Sequence, residues 1–121
     1  MSQGGRSLVQ LLESIVRWGE RLARFVGGVS REEFSADELR QAGASKCIEA
    51  IGEASGEILR RFRDFAVANP HLELAEAYRA RNRLSHGYDR IDWEILWDTA
   101  MTYVPRLVAD VRPLLSGDND I

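Results

Sequence analysis

A single cysteine, Cys47, stands in the 121 residues, so no internal disulfide framework is possible and a reducing, cytoplasmic location is expected. No apolar run approaches the roughly 18 residues needed to cross a bilayer, and no membrane association is expected. The first residues, Met1-Ser2-Gln3-Gly4-Gly5-Arg6, lack the apolar core and small-residue cleavage site of a signal peptide. Excess positive charge is missing as well. A net charge of -3 argues against a protein that coats nucleic acid with its whole surface. Metal-ligand patterns are equally scarce. Cys47, His71 and His86 offer no recognisable zinc spacing, and Glu49 and Glu53 lack an accompanying Glu-x-x-His pair. No Gly-Lys-Ser/Thr follows Gly27-Gly28, so that pair is not a phosphate loop. Neither a metal nor a cofactor is expected.

What is present is helical periodicity. The 45% hydrophobic and 29% charged residues suit a globular protein of one domain, residues 1–121, with an ordered core over about 6–115. Leu8, Leu11, Leu12, Ile15, Gly19, Leu22 and Val26 follow three-and-four spacing, and Gly27-Gly28 closes that helix. Ser30 to Glu33 and Ser35 to Glu38 both match the Ser-x-x-Glu capping box. The second opens a long helix of about 30 residues, with Leu39, Cys47, Ile51, Ala54, Ile58, Phe62 and Phe65 on one side and Asn69-Pro70 at its end. Gly52 and Gly56 share a face of it, which implies close approach of another helix, from this chain or a second one. A kink near Gly43 is the plainer alternative to that close approach. A third helix spans about Leu72 to Ser85, using Leu74, Ala75, Tyr78 and Leu84 and stopped by Gly87. A fourth opens at the N-cap Asp92 and runs through Ile95, Leu96, Thr99, Tyr103, Leu107 and Val111, kinked at Pro105 and ended by Pro113 and the polar tail. Trp18, Trp93 and Trp97 read as packing residues. There is no strand alternation, repeat or low-complexity tract. The expected fold is all-α, an antiparallel bundle of four to five helices.

The chemistry-bearing stretch runs from Tyr78 to Asp89, with Arg79, Arg81, Arg83 and Arg90 concentrated in and beside it. Asn82 and His86 are four apart and stack on one helical face, and the long side chain of Arg81 can swing alongside. These types suit cleavage of an RNA phosphodiester. The substrate's own 2′-hydroxyl is the nucleophile, so the protein must move protons and stabilise the charge on the phosphoryl oxygens. Histidine moves protons near neutral pH, and arginine offers a planar, permanently charged fork to two phosphate oxygens. Asn82 can orient the imidazole or bond the phosphate. Tyr88 can do the same or stack on a base. Each residue also has a structural reading. Arg81 can pair with Glu76 or Glu94, His86 can cap the helix dipole, Asn82 can bond within the bundle, and Tyr88 can be a half-buried aromatic. Spacing alone leaves both readings open.

Arg81-Asn82-Arg83-Leu84-Ser85-His86-Gly87-Tyr88 resembles the signature of the HEPN superfamily, and its Arg-x4-His-x-Tyr form resembles that of the HepT toxins. Three other segments agree in order. Leu11 to Val26, with Gly27-Gly28 and Phe34, resembles the family's first helix and turn; Ile48 to Ala54 resembles its long helix; Ile91 to Trp97 through Val104 to Leu107 resembles its closing helix. The likeness covers about residues 8–114. Segment 66–78 lacks the tryptophan often found before the motif helix, and Ser85 replaces an aliphatic residue; neither change removes a catalytic group. The resemblance implies a HEPN-like homodimer with both motifs near a shared cleft, and metal-independent endoribonuclease activity leaving a cyclic phosphate. It implies a toxin role, with a minimal nucleotidyltransferase antitoxin that AMPylates Tyr88 and so blocks RNA access to Arg81. On that reading Arg81 binds phosphate, His86 is the acid/base, Asn82 orients it, and Arg79 and Arg83 help bind substrate. A second hypothesis from another class is a non-catalytic helical subunit that binds substrate or scaffolds a nucleotidyltransferase. A third is a plain structural dimeriser.

Overall fold

The computed structural model describes residues 5–86 and 90–117, so Gly87, Tyr88 and Asp89 lie outside the described residues. Helix α1, Leu8–Val26, starts on a reciprocal cap: Ser7 Oγ accepts from Gln10 N at 3.1 Å, and Gln10 Oε1 accepts from Ser7 N at 2.9 Å. The expected apolar positions from Leu11 to Val26 form its buried stripe. Of the two glycines that follow, only Gly28 is left-handed, at φ +78°. Helix α2, Arg31–Ser35, uses the Ser30–Glu33 capping box and buries Phe34 completely. The second expected box does not form. Ser35 ends α2, and Asp37 caps the next helix by accepting from Arg40 N at 3.1 Å. The buried amide of Gln41 donates to the carbonyls of Phe34 and Ser35, at 3.0 and 2.9 Å, and so fixes this corner.

Helix α3, Glu38–Arg61, has 24 residues and a length of about 36 Å, shorter than the periodicity suggested. It continues unbroken through Gly43, which lies against the Phe25 ring. The helix breaks at Phe62 (φ −129°, ψ 52°), and α4, Arg63–Ala68, takes a new direction that lets Phe62, Phe65 and Ala66 pack on the core. Leu39, expected on the buried side, is 80% exposed. Gln41 takes that side instead, two residues on and about 200° round the axis.

A 3-10 turn, Pro70–Leu72, leads to Glu73, a non-glycine residue held left-handed at φ 49°. The Tyr103 hydroxyl stabilises this corner by donating to the carbonyls of Leu72 (3.1 Å) and Glu73 (2.7 Å). Helix α5, Leu74–Ser85, buries Leu74, Ala77 and Ala80, whereas Ala75 and Tyr78, both expected to pack, are exposed. Helix α6, Trp93–Asp98, opens on the expected cap, with Asp92 Oδ1 accepting from Glu94 N (3.0 Å) and Ile95 N (3.3 Å). In place of a simple kink at Pro105, a π-helical turn at Thr99–Tyr103 joins α6 to α7, Val104–Ser116. Val104 N reaches back to the carbonyl of Thr99, and this wider turn accommodates the proline ring and its missing donor. Pro113 does not stop α7; Leu114 and Leu115, half-buried on the core, hold the last turn in place.

The result is the expected all-α antiparallel bundle, with α3 at its centre. Arg6, just before α1, pairs with Glu57 near the end of α3, while the carbonyl of Phe25, near the end of α1, accepts from Arg40 in the first turn of α3. Helix α5 runs antiparallel along another face of α3, with Tyr78 over Gly56 and Arg81 over Gly52. The helix that the two glycines admit is therefore α5 of the same chain. Phe34 is flanked by Trp93 (6.2 Å, 76°) and Trp97 (5.3 Å, 46°), tying α2 to α6. Among the described residues no helix is long and apolar enough to cross a membrane.

Candidate active site at the end of α5

Arg81 and His86 are five residues apart, which places them about 140° apart around a helix axis. The environment of each follows from that angle. Arg81 lies against α3. A Cβ built on Gly52 would sit 2.2 Å from the Arg81 Cβ and 2.7 Å from the Ala77 carbonyl oxygen, so only glycine lets the two backbones come this close. The arginine then runs along α3, with Nη2 3.5 Å from Glu53 Oε2 and Nη1 donating to Asn82 Oδ1 at 3.2 Å. Among the described residues its buried Nε has no hydrogen-bond partner. The guanidinium faces a polar cleft of about 290 Å³ that it shares with Arg6, Glu53, Glu57, Arg60 and Tyr78. Ion pairs this exposed are worth only about 0–1 kcal/mol, so an incoming phosphate, which offers the fork two oxygens, can displace Glu53.

His86 caps α5, its N–H donating to the Arg83 carbonyl at 3.4 Å, and its side chain is exposed. The imidazole lines a different depression, an apolar pocket of about 240 Å³ between α3, α5 and α6. Ile48, Ala80 and Leu96 are buried there, and Arg83 and Arg90 share the opening with His86.

Within one chain, then, the expected cluster is divided. Asn82 is bonded to Arg81; among the described residues no hydrogen bond joins its side chain to His86. Arg79 is on the surface, paired with Glu76 at 2.8 Å, and Arg83 lies on the histidine side. Tyr88 lies outside the described residues. The carboxylates suggested as surface partners of Arg81 are engaged elsewhere, Glu76 with Arg79 and Glu94 with Arg31. Sequence reading missed Glu53, Arg6 and Arg60 as neighbours of Arg81. Their only signal was the Gly52/Gly56 face that brings α5 onto this part of α3.

Other candidates carry less chemistry. Burial raises the Cys47 thiol to about 11, with the Arg21 guanidinium opposing, which leaves little thiolate at neutral pH. His71 is exposed on the 3-10 turn. Among the described residues no three His, Cys, Asp or Glu side chains gather as a metal site.

Fold and site together define a small all-α protein whose motif helix carries a guanidinium seated on α3 on one side and an exposed imidazole at its end. The chain belongs to the ribonuclease HepT-like family, whose profile matches residues 15–114. It is 32% identical over 102 residues to the "Probable ribonuclease HepT" of Thermococcus cleftensis, covering 84% of this chain and 90% of that one. It is 31% identical over 107 residues to a "Putative RNase" of Caldanaerobacter subterraneus subsp. tengcongensis, covering 88% and 93%. A "Putative RNase" of Methanocaldococcus jannaschii is 24% identical over 110 residues, covering 91% and 88%. No solved structure matches the chain at a significant level.

Proposed function

We propose that this protein is a metal-independent endoribonuclease and the toxin of a toxin–antitoxin pair. The observation that carries this reading is an exposed imidazole at the end of α5, on the same helix as a half-exposed guanidinium seated on Gly52, in a chain of the ribonuclease HepT-like family. The substrate 2′-oxygen attacks the adjacent phosphorus, the phosphorus–5′-oxygen bond breaks, and a 2′,3′-cyclic phosphate remains. An imidazole at His86 takes the 2′-hydroxyl proton or, as imidazolium, protonates the departing 5′-oxygen. Arg81 stabilises the charge on the non-bridging oxygens, and Asn82 positions Arg81 through their 3.2 Å hydrogen bond. The 140° separation is met by a homodimer in which the two copies of α5 share one cleft. A minimal nucleotidyltransferase antitoxin would silence the site by transferring AMP to Tyr88, adding negative charge and bulk two residues after His86 in the sequence.

The division of Arg81 and His86 between two depressions favours one other reading, a non-catalytic subunit that binds nucleotide for a nucleotidyltransferase partner. Single-turnover cleavage of RNA in EDTA separates the two. The wild-type chain should cleave, and His86→Ala and Arg81→Ala should each lose about 100-fold or more while keeping the circular dichroism of the folded helices. Intact RNA with all three folded proteins, and with Tyr88 shown by mass to be unmodified, would favour the binding subunit.

A further inference from the structure

The apolar pocket beside His86 is not accounted for by acid–base chemistry. Its floor is Ile48 from α3, Ala80 from α5 and Leu96 from α6, each no more than 6% exposed. Leu84 and Ile95 form its walls. Three nitrogen-rich side chains, Arg83, His86 and Arg90, surround the opening, and among the described residues neither arginine is engaged in an ion pair. Asp92, also at the rim, accepts the backbone N–H groups of Glu94 and Ile95 through Oδ1. At about 240 Å³ the pocket lies below the roughly 300–1,000 Å³ of sites that enclose a whole drug-sized ligand. It fits one flat heterocycle, with the attached sugar and phosphate left at the cationic rim.

We propose that this pocket is a nucleobase subsite: it receives one unstacked base of single-stranded RNA next to the scissile bond, and Arg83 and Arg90 hold the phosphate that follows. The assignment rests on the ribonuclease reading and extends it to the substrate, which must be single-stranded at the cleavage point. Single-stranded segments present bases free to splay out, and an apolar slot with a cationic mouth complements a base carrying its phosphate. Thr99, whose hydroxyl donates to the Ile95 carbonyl at 3.0 Å, keeps oxygen lone pairs for the edge of the base.

The test uses the full-length protein and an oligoribonucleotide with one cleavable linkage, all other positions being 2′-O-methylated. An abasic residue is placed on either flank of that linkage. Removing the base on one flank should lower kcat/KM by about 5- to 100-fold, the range for loss of one base contact, and removing the other should have little effect. Ile95→Trp, a substitution at a half-exposed wall position, fills the slot. It should show the loss on intact substrate and less than about twofold further loss on the abasic one, because the two changes remove the same contact. A non-cleavable copy with 2′-deoxyribose at the reacting position and 2-aminopurine on the sensitive flank should change its emission on binding wild type but not Ile95→Trp. Cleavage indifferent to both abasic positions would overturn the subsite and leave the ribonuclease intact. So would a change in oligomeric mass of Ile95→Trp, which would make the pocket an interface between copies. If wild type neither binds nor cleaves any of the oligonucleotides, both readings fall.

Discussion

Gly52 decides where Arg81 can go. A side chain there meets a Cβ and a backbone oxygen, neither of which can rotate away, so α5 must lift off α3. Gly52→Ala should therefore destabilise the fold by about 1–2 kcal/mol in urea, overpacking outweighing the gain of about 1 kcal/mol in helix propensity. RNA cleavage should fall further than the folded fraction, because the guanidinium moves with the helix. Gly56→Ala is the control. Its added methyl meets the half-exposed ring of Tyr78, which can swing outward, and its cost should be smaller. At this scale the sequence showed that two glycines share a face and that a helix must cross there. It also showed the Arg-x4-His spacing, but not that Arg81 is taken up by Glu53 and Asn82. Those contacts depend on the register of α5 against α3, which no local pattern encodes.

Among the elements, the best-read boundaries are those fixed by chemistry within one turn. Asp92 and the Ser30–Glu33 box cap their helices as the sequence implies. Asp92→Ala should destabilise by about 1 kcal/mol in urea unfolding and speed amide exchange at Glu94 and Ile95, whose N–H groups lose their acceptor. Boundaries set by tertiary packing were read less well. Ser35 matches a capping box, yet the Gln41 amide ties it to the end of α2, and Asp37 takes the cap. The apolar stripe of α3 continues through Phe62 and Phe65, yet the chain bends at Phe62 to bring them onto the core. Pro105 was expected to bend a single helix; the irregularity instead lies just upstream of the ring, as the π turn at Thr99–Tyr103.

For the molecule as a whole, packing leaves an alkaline liability. The Cys47 thiol ionises near its ordinary value of 9.0 when unfolded but near 11 when folded, because burial disfavours the thiolate. The unfolded chain thus loses the proton first as pH rises, and stability falls between about 9 and 11 by on the order of 3 kcal/mol. Burial, reinforced by the Glu73 carboxylate, raises the Tyr103 phenol too, and the sign is the same. Urea midpoints should therefore drop across that range, and less steeply in Cys47→Ala than in wild type. The all-α class and antiparallel arrangement were legible because period and caps agreed along most of the chain. Two features were not: that α3 serves as the common partner of α1 and α5, and that the motif helix opens to two separate depressions.

The seating of Arg81 has a consequence for any attempt to transplant the motif. An eight-residue peptide from Arg81 to Tyr88, grafted onto an unrelated helix, would carry its histidine intact, since His86 is presented by the end of its own helix. The arginine would arrive without its footing, because the groove at Gly52 and the carboxylate of Glu53 belong to another helix. The smallest unit that keeps the arginine seated is the α3–α5 pair.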